Sequence, residues 1–236
     1  MCTFGIKLTD KRRYIFKNLD VHKVIFSYSL PIIDKNVLKF YIPGKNGIWT
    51  GINRKGLLIQ TAEHTGNLIS KCKINTWPIF ERMLEHCNDT YSGLAFLMSR
   101  FKEAKMDLPG SILLSDRNTS IIAEYYPSVW GIKIIDDCDA RAGIFGVLTS
   151  FNKKPKPDRA HLAVRLMSKI KDKNAVDSLK ALCRKHNMKN SICRHKGPNT
   201  NGSIIMDISE KAAIIHYVLN SHPCKSEYKR IVFELY

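Results

Sequence analysis

The chain contains no apolar run near the roughly 20 residues that a membrane-spanning helix needs, so no spanning segment is expected. It has no Cys-x-x-Cys pair. Its seven cysteines, at 2, 72, 87, 138, 183, 193 and 224, are odd in number and scattered, which favours reduced thiols over a disulfide framework. The start, Cys2-Thr3-Phe4-Gly5-Ile6-Lys7, is not the basic patch and apolar stretch of a secretory signal, and a cytoplasmic location is expected. Repeats, low-complexity tracts and linkers are absent too, which predicts a single domain over residues 1–236. Acid is scarce: 21 Asp and Glu stand against 38 Lys and Arg, a net charge of +17.

Such a surface attracts anions, and charge alone makes nucleic acid a possible partner. Zinc-finger spacing, an aromatic RNA-binding signature and a helix-turn-helix pattern are all missing, however. The basic residues are also spread along the chain, with their densest clusters at Lys11-Arg12-Arg13 and Lys153-Lys154-Pro155-Lys156. A solvated basic face, or one that draws in a small anionic substrate, accounts for them equally well. A homo-oligomer is compatible with the composition.

The hydrophobic pattern changes period along the chain. Strands are expected at Thr3–Leu8 and Arg13–Phe16 around a Thr9-Asp10-Lys11 turn, then at Lys23–Tyr28, Val37–Ile42, Ile48–Ile52 and Leu57–Gln60. A helix follows with Thr76 as its cap and Pro78 in its first turn, then a second from Asp89 or Thr90 to about Phe101. Strands return at Ser111–Ser115, Ile121–Tyr125, Gly131–Ile135 and Gly143–Thr149. Two more helices are expected, from Asp158 to about Lys171 and from Asn174 to about His186. The second carries an apolar stripe of Val176, Leu179, Leu182 and Cys183. The tail reads as strands at Ser191–Arg194, Ser203–Ile208, Ala212–Tyr217 and Ile231–Leu235. Blocks of strands separated by helix pairs predict an α+β fold of antiparallel sheets with helices layered on them.

Cys2 is the residue with the most chemistry. Once Met1 is trimmed, it carries a thiol nucleophile and an α-amine base, of unperturbed pKa about 8, on one carbon. The segment from Met1 to Asp20, with Lys17-Asn18-Leu19-Asp20 on the second strand, resembles the start of the N-terminal-nucleophile hydrolases of the choloylglycine hydrolase and penicillin V acylase group. It is also similar to their relatives, the acyl-CoA:isopenicillin N acyltransferases. Further resemblances follow in order: Gly51 to Leu57, Ile112 to Asp116 with Ile121 to Glu124, Val147 to Ser150, and Pro157-Asp158-Arg159. The last are Ser191 to His195, Ser203 to Asp207 and Pro223-Cys224.

The resemblance implies a four-layer αββα sandwich of two antiparallel sheets between helix layers. It also implies an amidohydrolase or acyltransferase acting on a small acyl-amide or acyl-CoA substrate, with no cofactor and no metal. Cys2 would be the nucleophile, Asp20 would hold the ammonium, Lys17 would lower the thiol pKa or orient the carbonyl, and Arg159 would support them. Lys17 stands where the family has arginine, a point charge in place of a bidentate fork. Ser150 replaces an asparagine, with Asn152 two residues on as a substitute. Glu63 aligns with an oxyanion-hole asparagine, although a carboxylate repels an oxyanion unless it is protonated.

Two other classes remain. A basic nucleic-acid-binding or otherwise non-catalytic protein could keep this fold. Cys183, His186, Cys193 and His195 give Cys-x2-His-x6-Cys-x-His, which departs from regular zinc spacings, and Cys183 falls on the apolar stripe of a helix.

Overall fold

The structure is a computed structural model that describes residues 2–21, 30–41, 47–63, 76–105, 109–126, 128–143, 145–151, 159–186, 191–195 and 199–236. The chain opens with strands β1 (Thr3–Leu8) and β2 (Arg13–Val21). Four strands follow: β3 (Ile32–Asp34), β4 (Val37–Tyr41), β5 (Ile48–Asn53) and β6 (Leu58–Glu63). Helices α1 (Trp77–His86) and α2 (Thr90–Glu103) lead to β7 (Gly110–Ser115), β8 (Ser120–Tyr126), β9 (Val129–Ile134) and β10 (Cys138–Arg141). Helices α3 (Arg159–Met167) and α4 (Ala175–Arg184) precede β11 (Asn199–Ile208), β12 (Ala212–Leu219) and β13 (Lys229–Glu234).

These elements form two compact units. The first holds a six-stranded antiparallel sheet in the order β10-β1-β2-β11-β12-β13. Helix α3 packs on β1 and β10, and α4 on β2 and β11. Strand alternation turns Tyr14 and Phe16 toward these helices, where they join Leu162, Met167, Leu179 and Leu182 in one buried cluster. The second unit is a seven-stranded antiparallel meander, β3 to β9 in chain order, with α1 against β5 and α2 against β7. Two antiparallel sheets, each with its own helix pair, are the layers of an αββα sandwich, and the α+β class is as expected.

Local chemistry explains most boundaries. Asp89 caps α2 by accepting from the backbone N–H groups of Tyr91 and Ser92, while the Ser92 hydroxyl reaches back to the Asp89 N–H. Thr76 occupies the cap position of α1 but makes no side-chain cap bond, so Pro78 near the first turn is the working start signal.

Two expected strands are absent, for one physical reason. Over Gly143–Thr149 the backbone donors of Gly146, Val147 and Leu148 all go to the Glu124 carboxylate, at 2.7, 2.8 and 2.9 Å. Hydrogen bonds to a charged acceptor contribute about 1.5–3 kcal/mol each, more than a neutral ladder bond offers. Over Ser191–Arg194 the Ile192 carbonyl accepts from the Asn18 amide, and the Arg194 N–H donates to the Thr200 hydroxyl. In both segments, side chains take backbone groups that a strand ladder would otherwise use. Strands β3 and β10, of three and four residues, are not anticipated because so short a run gives too few alternations to mark a strand. The expected strand Lys23–Tyr28 lies outside the described residues.

Candidate active site

The first unit brings the N-terminal end of β1 beside the C-terminal end of β2. Thr3 pairs with Asn18 and Phe4 with Lys17, so Cys2 and Asp20 lie at the same end of this strand pair. Strand β1 has little freedom to move. A Cβ at Gly5 would stand 2.6 Å from the Phe16 ring and 2.9 Å from the Asp139 carbonyl, so only glycine lets the three strands approach this closely. Cys2 is half-buried and its thiol is free.

Asp20 is buried, and two groups satisfy its carboxylate. Arg159, the first residue of α3, donates from Nη1 to Oδ2 in a buried ion pair. The Thr200 hydroxyl donates to Oδ1 at 2.7 Å. A register shift between Thr200 and Ser203 makes this second bond available. Ser203 faces Asn18, so an unbroken ladder would set Asn201 opposite Asp20. The bulge inserts one residue and sets Thr200 there instead.

Asn18, the second residue of the Lys17–Asp20 motif, is a brace. Its amide donates to the carbonyls of Cys183 at the end of α4 and of Ile192, at 2.9 and 3.1 Å. Its own Oδ1 and the Oγ1 of its cross-strand neighbour Thr3 are buried without hydrogen-bond partners among the described residues. Lys17 is buried on the opposite face of β2, between Phe4 of β1 and Ile204 of β11.

Arg194 was not anticipated as a member of this site. Burial first, and then the charge of Arg159, pulls its guanidinium below the usual arginine range, while Asp20 pushes it back up. One carboxylate therefore lies in the field of two guanidiniums, with Lys17 three residues away along the strand. Thr200 was missed as well, because its role depends on a bulge that no sequence pattern announces.

The structure thus gathers Asp20 and Arg159 in direct contact, with Lys17 and Cys2 on the same pair of strands. Two of the three oxyanion candidates, Glu63 and Ser150, belong to the second unit. Glu63 closes β6 of the second unit opposite Gly110, Ser150 is exposed in a short 3-10 turn of that unit, and Asn152 lies outside the described residues. On the same strand as Glu63, the Gln60 amide is fully buried with neither its oxygen nor its nitrogen hydrogen-bonded. Among the described residues no helix is long and apolar enough to cross a membrane.

No protein-family model and no curated protein matches the sequence. Among solved structures, the chain is similar to the Caenorhabditis elegans ortholog of N-acylethanolamine-hydrolyzing acid amidase. The TM-score is 0.58 at 14% identity, over 87% of this chain and 92% of that one. At that identity the likeness is one of fold alone.

Proposed function

We propose that the chain is a cysteine amidohydrolase or acyltransferase that works through an acyl-enzyme on Cys2 once Met1 has been removed. The observation that carries this reading is a cysteine at residue 2 sharing one end of a strand pair with a buried carboxylate, Asp20, held by Arg159 and Thr200. Cysteine is small enough at position 2 for methionine aminopeptidase to expose it.

In this reading the α-amine accepts the thiol proton, directly or through one water. The thiolate attacks the acyl carbonyl and forms a thioester. The C–N or C–S bond to the leaving group breaks as the ammonium returns its proton to the departing amine or thiol. Water then hydrolyses the thioester in a hydrolase; an amine takes the acyl group in a transferase. Asp20 supplies the counter-charge to the ammonium, and Lys17 favours the thiolate by its positive charge. Arg159 is a positioning residue that fixes the Asp20 carboxylate.

The net charge of +17 suits a substrate that carries a carboxylate or phosphate, such as acyl-CoA. The fold likeness to an N-acylethanolamine-hydrolysing protein makes acyl amides the first substrates to try.

The test is to quench the protein during exposure to a panel of acyl amides and acyl-CoA thioesters, then map the acyl mass by peptide. Acylation of the Met1-free N-terminal peptide is expected. Acyl groups found only on other cysteines would contradict the assignment.

A further inference from the structure

Two mirrored pairs, Cys193-Arg194-His195 and His222-Pro223-Cys224, lie 26 residues apart in the chain and meet in the first unit. The two sulfurs are 3.6 Å apart, and His195 Nε2 is 3.3 Å from the Cys224 sulfur and 3.8 Å from the Cys193 sulfur. The His195 and His222 rings stack with centroids 4.3 Å apart, and donor atoms of Cys193, His195 and His222 all lie within 4.8 Å of one another.

The distances among the Cys193 sulfur, the Cys224 sulfur and His195 Nε2 are close to three edges of a metal tetrahedron. Zinc–sulfur bonds of about 2.3 Å and zinc–nitrogen bonds of about 2.0–2.1 Å set a sulfur–sulfur edge of about 3.8 Å and a sulfur–nitrogen edge of about 3.5 Å. Thiols are weak donors and weak acceptors, so hydrogen bonding alone is a poor reason to gather two thiols and two imidazoles. An independent observation points the same way: His222 Nδ1 is buried and has no hydrogen-bond partner among the described residues.

We infer that Cys193, His195, His222 and Cys224 bind one divalent cation of the zinc type, through two thiolates and two imidazoles. Binding releases two thiol protons to solvent and leaves both imidazoles neutral, so no redox step is involved.

Both ligand loops are already held in place by other contacts. The Cys193 N–H donates to the Lys185 carbonyl, and Arg184 of α4 donates to the carbonyls of Pro223 and Ser226. The metal would clamp the 191–195 segment, which anchors Asn18 and Thr200, to the loop after β12. Its role is structural, and it does not depend on the acyl chemistry at Cys2.

Cys183 is excluded as a ligand. Its thiol belongs to neither group of neighbouring donor atoms among the described residues, and it packs inside the apolar cluster under α4. His186 also offers a ligand atom within 4.8 Å of those of His195 and Cys224, but it is exposed at the rim, whereas His222 keeps a buried Nδ1 with no hydrogen-bond partner among the described residues.

The experiment uses the full chain, reduced and stripped with a chelator, then titrated with zinc and with cobalt. Native mass spectrometry should show one metal per chain, and cobalt should give the intense visible bands of a tetrahedral thiolate site. Zinc should protect Cys193 and Cys224 of the unmutated protein from alkylation while leaving Cys2 and Cys138 reactive. Cys193→Ser, Cys224→Ser and His222→Ala should each weaken binding at least about 100-fold, with His186→Ala and Cys2→Ser near wild type. Failure to retain zinc at micromolar free metal, equal alkylation with and without zinc, or full binding by Cys193→Ser would overturn the proposal.

Discussion

Cys2→Ala is expected to lose acyl transfer at least about 10³-fold while its fold stays intact, because a nucleophile that forms the covalent intermediate has no partial substitute. Residue 2 precedes the first ladder pair, Thr3 with Asn18, and is half-buried, so the substitution leaves β1 pairing and the Gly5 contacts untouched. The unfolding free energy should stay within about 0.5 kcal/mol of wild type. Kinetics on acyl-amide and acyl-CoA substrates, read beside urea denaturation, separates the two effects. Cys2→Ser, with Met1 removal confirmed by intact mass, is the stricter version, since a serine enzyme at wild-type rate would remove the thiol from the mechanism.

Asp20→Ala should act on stability as well as on turnover. Arg159 is about 8% exposed, and its guanidinium would be left buried beside Arg194 without its carboxylate. Breaking one partner of a buried pair typically costs about 3–5 kcal/mol. The Thr200 hydroxyl loses its acceptor in the same step. Asp20→Asn keeps an oxygen for Thr200 and should recover part of that loss, yet it cannot balance an ammonium at Cys2. The expected signature is partial stability in Asp20→Asn with turnover still down about 100-fold or more. If Asp20→Ala unfolds at the wild-type urea midpoint, the network described around Asp20 is wrong. Should Asp20→Asn turn over normally, its carboxylate has no part in the reaction.

Much of this framework was legible in the sequence because its strongest signals are periodic. The apolar stripe Leu179, Leu182 and Cys183 marks α4, and the alternation from Arg13 sets Tyr14 and Phe16 on the helix face of β2. The sequence marks Lys17–Asp20 as a candidate site, and the structure gives its asparagine a bracing part: Asn18 ties β2 to the end of α4 and to residue 192. What could not be read depends on side chains taking backbone partners at long range. Glu124 removes a strand from residues 143–149, and Asn18 with Thr200 removes one from residues 191–194. Thr200 reaches Asp20 only because a bulge shifts the β2–β11 register by one residue. The Cys193–Cys224 cluster was hidden for a similar reason. Regular zinc spacings are local, whereas half of these donors come from a loop after β12.

The central claim is that thiol and α-amine of one residue act together, and blocking the amine tests it most directly. A variant with one extra residue kept ahead of Cys2, verified by intact mass, retains the thiol and the whole fold but buries the amine in a peptide bond. The account predicts turnover down at least about 10²-fold, the contribution expected of a positioned general base, with an unchanged unfolding midpoint. Wild-type turnover by that extended chain would contradict it.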